Sequence, residues 1–101
     1  MEFKRPKTHI VTVYSKSDCK YCDKLKHVLT NSGIEHYIIN CDEYLLVHRE
    51  TFLEFIKEIS HGQSVKTFPM VFNPDAKYIG GYAETMEYIE RVIMEYEGKD
   101  F

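Results

Sequence analysis

Two cysteines three positions apart, Cys19 and Cys22, with Lys20 and Tyr21 between them, are the residues of this chain best suited to chemistry. They lie where a strand-like run gives way to a helical one. His9-Ile10-Val11-Thr12-Val13-Tyr14 is apolar and β-rich, and Ser15-Lys16-Ser17-Asp18 breaks it. Leu25, Val28 and Leu29 then recur at helical spacing. A cysteine at such a junction places its sulfur at the open N-terminus of the helix. Unpaired N–H groups and the helix dipole there favour a thiolate over a thiol. The second sulfur lies one turn deeper, close enough to form a disulfide. The pair suits reversible thiol–disulfide exchange, which points to an oxidoreductase. The other use of this spacing is half a zinc site. Only Cys41 and five histidines remain to complete one, and none forms a second close pair. Redox is therefore the reading taken, with no metal ligand assigned and no histidine assigned to catalysis.

The elements that must position this pair follow from the pattern on either side. Strand one spans about residues 9–14 and the first helix about 20–31. Asn31-Ser32-Gly33 closes that helix, Gly33 being suited to the left-handed C′ position. Residues 35–40 read as strand two, with Ile34, Ile38 and Ile39 as core contacts. Strand, helix and strand in such close order form a βαβ unit, so the two strands should be parallel. Tyr44, Leu45, Leu46 and Val47 form an apolar patch of unassigned structure, read as a lid on the core. A second helix follows, with Phe52, Phe55, Ile56 and Ile59 on one face. Met70-Val71-Phe72 and Lys77-Tyr78-Ile79-Gly80 read as strands three and four, an antiparallel hairpin about the turn Asn73-Pro74-Asp75-Ala76. A last helix follows Gly80-Gly81, its buried stripe being Met86, Ile89, Val92, Ile93 and Tyr96. Cys41 reads as a small buried hydrophobe. Residues 1–8 are polar and read as loose.

The chain has 101 residues, enough for one domain (1–101, core about 9–96) and no second one. A net charge of −3 leaves no room for a large basic face, which argues against nucleic-acid binding. No apolar run approaches the roughly 20 residues that span a bilayer. The N-terminal residues carry positive charge without an apolar stretch behind them and do not read as a secretory signal. Three cysteines, an odd number, do not suit a secreted disulfide scaffold. A monomer in a reducing compartment, the cytosol, is the expectation.

The element order β-α-β-α-β-β-α describes an α/β domain, a four-stranded mixed sheet with helices on both faces, and is that of the thioredoxin fold in minimal form. Three motifs in order, Ser15 to Cys22, Thr67-Phe68-Pro69 and Gly80-Gly81-Tyr82-Ala83-Glu84-Thr85, resemble those of a glutaredoxin over about residues 9–96. Thioredoxins usually have Trp before the first Cys and Gly-Pro between the two; here Asp18 and Lys20-Tyr21 stand in those places.

The resemblance implies a glutathione-dependent oxidoreductase acting on glutathionylated and disulfide-containing proteins. Cys19 would be the nucleophile and Cys22 the resolving thiol, the two forming the redox-active disulfide. Pro69 would be cis and face that disulfide, leaving the backbone of Phe68 to pair with substrate. Glutathione, the co-substrate, is anionic at both ends. Lys16 matches the family lysine that meets its glycyl carboxylate. Gly81 allows close approach, and the backbone of Tyr82 and Ala83 would receive the γ-glutamyl carboxylate at a helix start. Glu84 would meet the glutamyl ammonium, Tyr21 would wall the groove beside Thr67, and Gln63 and Lys66 are weaker candidates. Ala83 departs from the family, which often has a polar or acidic residue there. Lys20 also departs, standing where many dithiol members have Pro. Lys20 favours a Cys19 thiolate and Asp18 opposes it. Some members without that proline hold a [2Fe–2S] cluster between two subunits. A cluster carrier, or a dedicated electron donor to an enzyme such as ribonucleotide reductase, is the alternative.

Overall fold

The strand β1 (Val11–Ser15) is buried along its whole length and is the element against which the others are laid. The computed structural model describes residues 2–63, 65 and 67–98, with the backbone alone for 96–98. After β1 come α1 (Lys20–Asn31), β2 (His36–Asn40), α2 (Asp42–Val47) and α3 (Arg49–Ile59). They are followed by β3 (Met70–Phe72), β4 (Tyr78–Gly80) and α4 (Tyr82–Gly98). The sheet order is β2-β1-β3-β4. β1 and β2 are parallel, with Val13 opposite Ile38, and β1 and β3 are antiparallel, with Val13 opposite Val71. β3 and β4 are antiparallel, as the hairpin reading required. The mixed sheet carries helices on both faces, which is the thioredoxin-like architecture expected.

Strand alternation divides the interior in two. Val11, Val13 and Val71 join Leu25 and Leu29 of α1 and Ile89 of α4 in an aliphatic core. Tyr14, Met70 and Phe72 point the other way and join Tyr44, Phe52 and Ile56 of α2 and α3 in an aromatic one. Cys41 is fully buried in the second core, as its reading as a small hydrophobe required. Helix α1 ends as the sequence indicated. Gly33 is left-handed (φ 67°), its N–H donates to Thr30 O (3.1 Å), and the Ile34 N–H donates to Leu29 O (3.0 Å). That pair of bonds is a Schellman motif, and Ile34 and Leu29 meet in the same core. Asn73 closes the β3–β4 turn, its Oδ1 accepting the N–H groups of Asp75 (2.9 Å) and Lys77 (3.1 Å).

Several expectations are corrected. The stretch between β2 and β3 holds two helices, not one, divided at His48, whose backbone (φ −132°, ψ 39°) is not helical. The 44–47 patch is only half a lid. Tyr44 is buried and Leu45 packs on the core, while Leu46 and Val47 are 87% and 60% exposed. A helix cannot turn four consecutive residues to one side. β1 begins and ends later than the composition suggested. On α4, Ile93 is partly exposed, and the side chain of Tyr96 lies outside the described residues. The largest correction concerns the start of the chain. Phe3 sits among the rings of Tyr44, Phe52 and Phe55 at centroid distances of 4.8, 5.4 and 5.3 Å. The Tyr14 hydroxyl donates to Lys4 O (2.7 Å), and the Lys4 N–H donates to the Tyr44 hydroxyl (3.1 Å). Residues 3–7 are thus a strap over the aromatic core, anchored by one apolar side chain and by the polar tips of two tyrosines. Among the described residues no helix is long and apolar enough to cross a membrane.

Candidate redox-active site

Three residues, Lys16, Ser17 and Asp18, carry the chain from β1 to Cys19. Asp18 has a left-handed backbone (φ 54°), which aspartate tolerates better than most residues. The turn makes Cys19 the N-cap of α1. Its Sγ accepts the N–H of Cys22 at 3.2 Å, and its carbonyl accepts that of Asp23 at 3.1 Å. The sulfur therefore occupies the position a serine or aspartate oxygen takes at other helix starts. A negative charge there is favoured by that N–H and by the helix dipole. Cys19 and Cys22 are joined in a disulfide with Cα atoms 5.2 Å apart. Cys22 is fully buried while Cys19 keeps 8% of its surface, so the first sulfur is the one an incoming molecule can reach.

The Phe68–Pro69 bond is cis, as expected. The Phe68 carbonyl oxygen lies 3.8 Å from Cys19 Sγ, a contact and not a hydrogen bond, because a disulfide sulfur has no proton to give. Behind it is the start of α4. A Cβ on Gly81 would lie 3.6 Å from Pro69 O, which measures how closely the double glycine approaches the proline. Gly80 has φ 142°, and a Cβ there would come within 2.6 Å of Glu84 Cβ. The Gly81 N–H donates to Glu84 Oε1 at 2.8 Å. Glu84, at the third helical position, thus reaches back to cap α4. The residue assigned to an ammonium group is engaged as a helix cap. Tyr82 packs on Tyr21, with centroids 5.2 Å apart, and Lys24 Nζ lies 5.5 Å from the Tyr21 ring. Tyr21 is half-exposed and joins the starts of α1 and α4 as a wall.

A continuous set of contacts therefore links Tyr21, Cys19, Phe68, Pro69, Gly81, Tyr82 and Glu84. Lys16 is half-buried three residues before Cys19, Thr67 and Ala83 are exposed next to members of the set, and Gln63 is exposed. Lys66 lies outside the described residues. Cys41 stands apart: burial pushes its thiol up to about 12.

Sequence reasoning missed two members of the site. The carboxylate of Asp42 accepts both the N–H (2.9 Å, Oδ1) and the hydroxyl (Oδ2) of Ser17. These hydrogen bonds hold its carboxyl below the usual range. The signal was present in the strand register. β1 and β2 pair Ser15 with Asn40, and two further steps bring Ser17 opposite Asp42.

The fold and site define a thioredoxin-like domain with a C-x-x-C disulfide at a helix N-terminus, facing a cis-proline. A sequence model of the glutaredoxin family matches residues 11–79, and the chain belongs to that family. It is 33% identical over 86 residues to glutaredoxin-C8 of Oryza sativa subsp. japonica, an alignment covering 83% of this chain and 59% of that protein. The chain thus spans less than two thirds of the rice protein. Glutaredoxin C1 of Populus tremula x tremuloides, solved in its holo form, superposes with a TM-score of 0.64 at 31% identity, covering 80% of this chain and 74% of that one. A buckwheat glutaredoxin solved with glutathione superposes with a TM-score of 0.61 at 28% identity, covering 76% and 64%.

Proposed function

We propose that this chain is a glutathione-dependent thiol–disulfide oxidoreductase. The observation that carries the reading is the asymmetry of the two sulfurs. Cys19 is reachable and capped by an N–H, and Cys22 is buried one turn below it. With a glutathione mixed disulfide, the Cys19 thiolate attacks the glutathione sulfur and the substrate leaves as a thiolate, taking a proton from solvent. A second glutathione thiolate then attacks the sulfur of the glutathione held on Cys19. Glutathione disulfide leaves and the Cys19 thiolate is regenerated. With a protein disulfide, Cys19 attacks one sulfur and forms a mixed disulfide. Cys22, as thiolate, then attacks Cys19 Sγ, releasing the substrate dithiol and closing the Cys19–Cys22 disulfide. Two glutathiones reopen it.

Glutathione itself is assigned to the groove beside Cys19. The bound tripeptide of the buckwheat relative supports this choice. Lys16 supplies the cation for the glycyl carboxylate. The backbone at Tyr82 and Ala83 offers helix-start N–H groups to the γ-glutamyl carboxylate. Phe68 offers its backbone to the tripeptide in the manner of an added strand, with Thr67 and Tyr21 at the edges. Glu84 retains acceptor capacity for the ammonium, since a carboxylate has more sites than the one Gly81 takes. A reducing co-substrate and an odd number of cysteines suit the cytosol, and a monomer is the state assigned to the chain there. The test is turnover of a glutathione mixed disulfide in the presence of glutathione, glutathione reductase and NADPH. Cys19→Ser should abolish it. Cys22→Ser should spare it while losing protein-disulfide reduction. Equal loss of both activities in Cys22→Ser would refute this division of roles.

A further inference from the structure

The attacking sulfur is presented by a short segment, and something must hold that segment still. Asp42 is placed to do so. Its two oxygens take the two donors of a single residue, Ser17, from a position 25 residues away in the chain. A carboxylate gripped at both oxygens has a fixed plane, so it fixes Ser17 in position and in rotation. Asp42 is itself anchored. Its N–H donates to Asn40 Oδ1 at 2.9 Å, and the preceding Cys41 N–H donates to Ser15 O at 2.8 Å. The end of β2 is thus stitched to the segment leaving β1 at both Ser15 and Ser17. Only Asp18 then separates Ser17 from Cys19, and Asp18 is left-handed. A non-glycine residue in that conformation persists where its neighbours over-determine it. Here the Asp42 carboxylate fixes one side and the Cys19 cap fixes the other.

We propose that Asp42 is a positioning residue for thiol–disulfide exchange: by clasping Ser17 it holds the segment that presents Cys19 to an incoming disulfide. The proposal rests on Cys19 being the attacking sulfur. An ordinary exposed hydrogen bond would matter little to folding, and Asp42 is exposed. The clasp therefore shows in the exchange rate more than in stability. In-line attack on a disulfide is sensitive to displacements of about 1 Å, which cost up to about a hundredfold in rate. A segment freed at one of its two ends should lose part of that.

The experiment uses the full chain, fully reduced, mixed with a neutral dialkyl disulfide so that the charge of Asp42 has little bearing on substrate approach. The rate at which the reduced chain is consumed is followed by mass spectrometry, and the mixed disulfide, which Cys22 would otherwise resolve, is located in a Cys22→Ser background. Alkylation of Cys19 by iodoacetamide is measured against pH alongside. Asp42→Ala should slow exchange about tenfold, a part of the hundredfold bound above. Ser17→Ala, which keeps the backbone half of the clasp, should slow it about threefold. Asp42→Asn should fall between wild type and Asp42→Ala, because one amide oxygen still accepts from Ser17. The double variant Ser17→Ala/Asp42→Ala should be no slower than Asp42→Ala, since the two act as one unit. The midpoint of Cys19 alkylation should rise in Asp42→Ala as the cap loosens, whereas loss of a nearby negative charge alone would lower it. Exchange within twofold of wild type in Asp42→Ala, with the adduct on Cys19, overturns the clasp alone. So do effects that multiply in the double variant. Exchange by Cys19→Ser at the wild-type rate overturns the reading of the site together with the clasp.

Discussion

The two glycines that open α4 are adjacent in sequence but do different work, and exchanging each for alanine separates them. Gly80 has φ 142°, and an added Cβ would stand 2.6 Å from Glu84 Cβ and 2.8 Å from Glu84 Oε1. The backbone conformation alone costs a side chain about 1–3 kcal/mol. The overlap can be relieved only by moving Glu84, which breaks its bond to the Gly81 N–H and removes a cap worth about 0.5–2 kcal/mol. The two costs together give an expected loss of about 3 kcal/mol for Gly80→Ala. In a domain of this size that lowers the melting temperature by roughly 12–24 °C. At Gly81 no such conformation is required, and the nearest atoms lie at 3.5 and 3.6 Å, an ordinary contact. Gly81→Ala should therefore change stability by less than about 1 kcal/mol. Its methyl would, however, stand in the crevice between Pro69 and the start of α4, where the tripeptide is assigned. KM for the glutathione substrate should rise several-fold with the fold intact. Urea unfolding followed by circular dichroism gives the first quantity and the coupled NADPH assay the second. The reasoning is refuted if Gly80→Ala melts within a few degrees of wild type, or if Gly81→Ala is the more destabilised of the two.

Lys16→Ala should lower kcat/KM for glutathione mixed disulfides about three- to tenfold, from a charge-assisted bond worth about 1.5 kcal/mol reduced by solvent exposure. A neutral disulfide should be slowed less; equal slowing of both would make Lys16 a tuner of the thiol and not a ligand contact. Phe3→Ala should cost about 2 kcal/mol, less than a fully buried Phe because Phe3 is only half-buried. Chemical denaturation measures it, and an unchanged midpoint would show that the strap contributes nothing. Burial raises the Cys41 thiol to about 12 and Tyr14 above its usual 10. Groups raised on folding stabilise fully below their unfolded values and lose that contribution as pH climbs toward the folded ones. Stability should therefore decline from about pH 9 upward, and Cys41→Ala should remove part of the slope, leaving that of Tyr14. A slope identical to wild type would exclude Cys41 from the alkaline transition.

What was legible in the sequence was what local chemistry dictates. The C-x-x-C at the strand–helix junction, Gly33 as a left-handed stop and the β3–β4 turn each depend on a few neighbouring residues. The cis bond at Pro69 was reached through resemblance, since the proline alone reads as the start of an edge strand. The parts that were missed depend on distant partners. Residues 2–8 look polar because Phe3 is their one large apolar side chain, and one such residue gives no periodicity. Its burial is decided by Tyr44, Phe52 and Phe55, more than 40 positions away. The helix at Asp42–Val47 is too short for a 3.6-residue pattern to rise above its own run of apolar residues. Glu84 is legible as part of its motif, but its bond to the Gly81 N–H is not. Ser17 and Asp42 are unremarkable singly; only the pairing of β1 with β2 joins them.

The two cores share no buried residue, and this has a consequence for anyone who would redesign the chain. The sheet acts as a partition. The helices that carry the cysteines and the double glycine, α1 and α4, rest on the aliphatic side, while the strap, α2 and α3 rest on the aromatic side. A change of volume among Phe52, Ile56 and Phe72 is absorbed between layers that hold neither cysteine of the disulfide. Away from Asp42 and Phe68, which border it, the aromatic side is thus the place to install thermostability or to graft a new surface. The aliphatic side, where Leu25 and Ile89 set the spacing of the two helices, is the part to leave as it is.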